Sequence, residues 1–175
     1  MNDYIYREVS RICAKYRTRD PFELLDNMGA VTYYSNEYER DGLKGYSTVM
    51  NRVKYAVINA KLPLAERKVV AGHEGAHLVL HMSEIMSSPI RALHDFNMFD
   101  NSGRIEYQAN LFLADFLLKD DEVLELVHDE YKDFFSIARE LYVPPPLLAF
   151  KQYSMMRRGY DVRNPIDLDS QFLGK

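Results

Sequence analysis

The chain has a single cysteine, Cys13, among 175 residues. That excludes an internal disulfide and any metal cluster built on cysteine sulfur. The thiol reads as a reduced side chain on an apolar helix face. No apolar run approaches the roughly 20 residues that cross a bilayer. The opening Met1-Asn2-Asp3-Tyr4 is polar and lacks the basic start of a secretory signal. The formal charge of -4 leaves no strong basic field, so composition gives no support to nucleic-acid binding. Lys151, Arg157 and Arg158 are too few for a basic face, and a charge pair at a helix end is expected to be solvated. There is no internal repeat and no low-complexity tract. The chain reads as cytoplasmic, with neither a membrane nor a nucleic acid as direct partner.

What is present suffices for an ordinary core. The chain is 47% hydrophobic and 27% charged, at a length that suits one domain with a small appendage. One stretch organises the rest: Val69-Val70-Ala71-Gly72-His73-Glu74-Gly75-Ala76-His77-Leu78-Val79-Leu80-His81. It contains H-E-x-x-H. On a helix, residues four apart lie one turn on, about 40° from alignment. His73 and His77 can therefore aim two imidazoles at one metal ion. Glu74 stands beside the first, where its carboxylate reaches a water on that ion. This is the arrangement of a zinc metalloprotease, with the Glu as general base. Gly72 and Gly75 each cost about 1 kcal/mol in a helix relative to Ala. Their presence suggests that something packs very close to this backbone.

The remaining pattern supplies the surroundings. Ile5, Val9, Ile12, Cys13 and Tyr16 recur at helical spacing. Asp20-Pro21 reads as an N-cap and first helical residue, and Gly29 as the stop. Val31–Tyr34, Gly45–Met50 and Tyr55–Asn59 read as strands, with Asn51-Arg52 suiting a hairpin turn. The segment 83–101 reads as a loop over the site. Helices follow over about 102–118, from an N-cap at Asp120, over 134–141, and over 147–157. The tail from Asp161 reads as weakly ordered. The sum is an α+β fold, mostly helical, with a small three-stranded antiparallel sheet packed on the motif helix. Residues 1–130 form the domain, and residues 131–175 a C-terminal helical segment with its tail.

A catalytic zinc site needs a third protein ligand and an open fourth position. The options are His81, Glu84, His94, Asp95, Glu106 and His128. His81 drifts about 80° from His73 and lies too far along the axis to close a tetrahedron. It fits better as a helix-end residue or as a group supporting a ligand. Glu106 stands on the next strong helix, where Ala109 permits close approach. Asn110, one turn on, could hydrogen-bond a ligand. By spacing alone, Glu106 is equally consistent with an exposed helix carboxylate.

The two stretches together, His73-Glu74-Gly75-Ala76-His77 through His81 and Glu106-Tyr107-Gln108-Ala109-Asn110-Leu111-Phe112, resemble the ImmA/IrrE family of metallopeptidases. The family shows H-E-x-x-H-x-x-x-H followed by E-x-x-A-N-x-F-A. The departures are small: Gly75-Ala76 replaces Leu-Gly, Leu113 replaces Ala, and Leu117-Leu118 lacks the following Pro. The resemblance implies a zincin-like domain in which Glu106 is the third zinc ligand. It implies an endopeptidase of bacterial or phage origin acting on a helix-turn-helix repressor of a mobile element, prophage or stress regulon. Ile137–Val143 resembles the family's short helical segment, but Pro144-Pro145-Pro146 departs from it. The alternative is a metal-stabilised module that binds a repressor or toxin partner without cutting it. That module would need the zinc ligands but not Glu74.

Overall fold

The computed structural model describes residues 2–88, 92–95, 103–129 and 131–162, with residues 2, 3 and 92–95 described by backbone alone. Helix α1 (Asn2–Tyr16) buries Ile5, Val9 and Ile12 along one stripe. Helix α2 (Pro21–Asn27) starts where Asp20 accepts hydrogen bonds from the amides of Phe22 and Glu23. Strands β1 (Ala30–Ser35), β2 (Gly45–Met50) and β3 (Val53–Asn59) follow. The motif lies in α3 (Leu64–Leu80), which is succeeded by α4 (Met82–Ser87) and β4 (Ala92–Asp95). The chain continues with α5 (Arg104–Leu117), α6 (Asp120–Val127), α7 (Phe134–Glu140) and α8 (Pro145–Arg157). Among the described residues, no helix is long and apolar enough to cross a membrane.

The α+β class holds, but the sheet differs from the one expected. It has four strands in the order β1-β3-β2-β4, and it is mixed. β2 and β3 form the expected hairpin, with Asn51 and Arg52 both at positive φ (50° and 66°), as its two-residue turn requires. β3 then returns between β2 and β1. It therefore runs parallel to β1, with Tyr33 opposite Val57. β4 adds antiparallel to the other edge of β2, Tyr46 opposite His94. Part of the loop expected over 83–101 is thus α4 and β4, and the rest lies outside the described residues. Four residues are too few to show a strand's alternation. The tail expected to be weakly ordered also lies, from 163 on, outside them. Asp120 is the first residue of α6 and not its cap.

Helix α3 is buried on two sides. Val70, Ala71 and Leu78 pack on Ala30, Val49, Ala56 and Ile58 of the sheet. Val69 and Ala76 face a second cluster formed with α1, α5 and α8, including Ile5, Val9, Phe112, Phe116 and Phe150. Ten consecutive residues, Val69 to Leu78, are buried, as in a helix enclosed on all sides. Two glycines permit these approaches. A β-carbon on Gly72 would collide with Leu113 of α5 and sit 3.3 Å from Pro21 Cγ. A β-carbon on Gly45 would lie 2.6 Å from Val70 Cγ1 and 2.8 Å from Val57 O.

α8 is fastened to α5 by charge as well as by apolar contact. Lys151 is 1% exposed. Its Nζ donates to Asp115 Oδ1 (2.9 Å) and Asp120 Oδ1 (2.6 Å). Arg158, expected to be solvated, pairs with Asp120 and lies over the Tyr6 ring. Helix packing brings acidic partners to both cations, which spacing along one helix could not reveal.

Two stability outcomes follow. Gly45→Ala should lower the unfolding free energy by about 1–3 kcal/mol through overpacking. The measurement is a lower urea midpoint at unchanged slope. Lys151→Met removes the closer of the two cations on buried Asp115, leaving Arg158 at 3.6 Å, and should cost about 3 kcal/mol, the low end for breaking a buried pair. An unchanged midpoint for Lys151→Met would contradict the buried pair.

Candidate metal centre

α3 presents His73 and His77 one turn apart, and α5 crosses it carrying Glu106. Ala109 of α5 is fully buried, in keeping with the close approach. The crossing brings three atoms together. His73 Nε2 lies 3.0 Å from His77 Nε2 and 3.1 Å from Glu106 Oε2. His77 Nε2 lies 3.4 Å from the same oxygen. A tetrahedral zinc with ligands at about 2.0–2.1 Å has edges of about 3.3–3.4 Å. The triangle therefore has the size of one face of that tetrahedron. Among the described residues, these three form the one group of His, Cys, Asp and Glu side chains so placed.

The far sides of the rings are also held. His73 Nδ1 is 3.1 Å from Asn110 Oδ1. An amide oxygen accepts only, so this contact puts the proton on Nδ1 and leaves Nε2 to face the centre. His77 Nδ1 is 3.1 Å from His81 Nδ1. With His77 Nε2 bare as well, the three inner atoms would all be acceptors within hydrogen-bond distance of one another. A proton or a cation between them reconciles the set, and a metal ion fits both its size and its chemistry.

Burial sets the electrostatics. It pushes the His77 pKa down to about 4, against the opposing pull of Glu106. It also lowers His81, against a hydrogen bond with Gln108. Burial alone would raise Glu106, but His73 and His77 outweigh it and hold the carboxyl below its ordinary value. His73 and Glu74 are fully buried, whereas the Glu106 side chain is 24% exposed. The centre therefore meets solvent on the Glu106 side.

Glu74 points from α3 to the sheet. Ser47 Oγ of β2 donates to Glu74 Oε2 at 2.5 Å and lies 3.0 Å from the Glu74 carbonyl oxygen. A β-carbon on Gly45 would sit 3.1 Å from Glu74 Oε1, so the sheet backbone also comes close to this carboxylate. Sequence reasoning missed Ser47. It carries no signal beyond being polar at a position the strand alternation turns inward.

The other candidates lie elsewhere. His81 ends α3 and backs onto His77 instead of the centre. Glu84 pairs with Arg104 at 3.7 Å. His128 ends α6. The side chains of His94 and Asp95 lie outside the described residues.

Comparison with known proteins points to a peptidase family. The model of a peptidase family, M78, described as the IrrE N-terminal-like domain, matches residues 39–151. That span includes the motif, Ser47, Glu106 and most of α5's surroundings. A protein of Bacillus phage phi105, named uncharacterized immunity region protein 2, is 30% identical over 149 residues, covering 85% of this chain and 89% of the relative.

The His77 shift carries a pH dependence. Its folded pKa is below its unfolded value of about 6.5, so the unfolded chain binds the proton more readily. The stability of the metal-free protein should be flat above pH about 6.5 and fall as the pH is lowered toward about 4. Urea unfolding across that window checks it. A flat profile for the wild type, or the same slope after His77→Ala, would contradict the assignment.

Proposed function

The chain belongs to the IrrE N-terminal-like family of peptidases, and we propose that it is a zinc-dependent endopeptidase that cleaves a repressor protein. The observation that carries this is the triangle of His73 Nε2, His77 Nε2 and Glu106 Oε2, on the helix whose next residue after His73 is the buried Glu74. His73, His77 and Glu106 hold the metal, and Asn110 orients the His73 ring. A zinc ion held there would supply a bound water of pKa near 7 and a Lewis acid for the scissile carbonyl. Two imidazoles and one carboxylate suit zinc with an open fourth position.

Glu74 takes the proton of the attacking water and returns it to the leaving amine. Its side chain must be held without being neutralised. Ser47 does this from β2 by donating one hydrogen bond, which restrains the carboxylate's rotation and leaves its charge in place. The substrate lies extended. β4 is the terminal strand on the β2 side of the sheet, next to the strand that touches Glu74. A peptide pairing with its outer edge would gain main-chain hydrogen bonds and a fixed register.

The substrate class is a helix-turn-helix repressor of a mobile element, prophage or stress regulon, cut in the cytoplasm. A phage relative named for an immunity region supports it. Cleavage would relieve repression of the genes concerned.

The test is Glu74→Gln, incubated with a candidate helix-turn-helix repressor that the wild type cleaves. The variant should keep one metal per chain and lose about 10²–10⁴-fold in cleavage rate. Cleavage at the wild-type rate would overturn the mechanism. Function lost in His77→Ala but kept in Glu74→Gln would mark a metal-stabilised binding module instead.

A further inference from the structure

Gln108 of α5 is nearly buried, with the fully buried Ala109, Leu111, Phe112 and Leu113 following it. Its Oε1 lies 3.0 Å from His81 Nε2. His81 Nδ1 lies 3.1 Å from His77 Nδ1. His77 Nε2 faces Glu106 and His73. An unbroken polar chain therefore runs from a core amide on α5, through two imidazoles on α3, to the metal centre. His81 is itself 1% exposed, so water does not compete along it.

We propose that Gln108 and His81 are positioning residues for the metal, fixing the tautomer of His77 from two rings away. This rests on the zinc reading above. A neutral imidazole has one N–H and one bare nitrogen. Binding a metal through Nε2 requires His77 to carry its proton on Nδ1. The atom facing that proton, His81 Nδ1, must then be bare, and His81 must carry its own proton on Nε2. That proton meets Gln108 Oε1, an atom that can only accept. Every link then has one donor and one acceptor.

Turning the amide over reverses the whole chain. Its NH₂ would donate to His81 Nε2, His81 would donate to His77 Nδ1, and His77 would present Nε2–H to the centre. A protonated Nε2 cannot bind a metal. The acceptor end of Gln108 therefore selects the metal-ready form of His77. Asn110 does the same for His73 in one step.

The experiment measures zinc affinity by competition with a chromophoric chelator, so it needs no substrate. Gln108→Leu should weaken zinc binding about 10-fold, the low end of the effect of losing a partner of a metal-binding histidine, because the lost bond acts through the His81 ring. Gln108→Glu keeps an acceptor and should bind at least as tightly as wild type. Nitrogen-15 spectra of the zinc-loaded wild type should show His81 protonated on Nε2. Wild-type affinity in a folded Gln108→Leu would overturn the proposal. So would His81 protonated on Nδ1 in the loaded wild type, a reading that holds even if Gln108→Leu fails to fold. His77→Ala and Glu106→Ala test the site itself. Undiminished binding in both refutes the metal reading, whereas loss in both with none in Gln108→Leu refutes only the relay.

Discussion

Two ring nitrogens and a carboxylate oxygen face one point inside a helical core, and a proton or a cation between them is what makes that arrangement stable. The rest of the molecule is arranged around this constraint. Two ring nitrogens and a carboxylate oxygen 3.0–3.4 Å apart repel one another unless a cation or a proton lies between them. Burial sharpens the effect, because water cannot screen it. A site of this kind is prepared for a metal before any metal arrives. Part of the folding free energy is spent in holding the ligands together.

The packing shows how they are held. α3 lies between the sheet and the α1–α5–α8 layer, so neither imidazole can swing to solvent. The cost in helix propensity at Gly72 is offset by close contact with α5, the helix that carries Glu106, Gln108 and Asn110. Gly45 does the same on the sheet side, letting β2 come close enough for Ser47 to reach Glu74. α5 is steadied in turn by the Asp115–Lys151 pair and by Arg19, whose guanidinium caps the carbonyls of Asp115 and Phe116. The contacts of Asp115, Lys151 and Arg19 are remote from the centre, yet they fix the position of the helix that delivers Glu106 to it.

Much of the site could be read from spacing. A helical turn puts His73 and His77 on one side, and that follows from local geometry alone. Glu106 was one of several options by spacing, and was chosen by resemblance to a family motif. The helices other than α4, and the β2–β3 hairpin, were legible because caps, periodicity and the Asn51-Arg52 turn are local. The strand order was not. Whether β1 pairs with β2 or β3 depends on where the return strand inserts, and no residue of Val31–Tyr34 encodes it. Arg158 was misread as a solvated helix-end cation for the same reason, since its acidic partner Asp120 comes from α6.

The sequence by itself determined which residues can bind and which can move a proton, because residue type and helical pitch are properties of the chain. Only the tertiary structure decided how those residues are aimed. Ser47 lies 27 positions from Glu74, and Gln108 lies 27 from His81. Hydrogen bonds over such separations exist only once helices and strands have crossed, because they depend on angles between elements that no local pattern specifies.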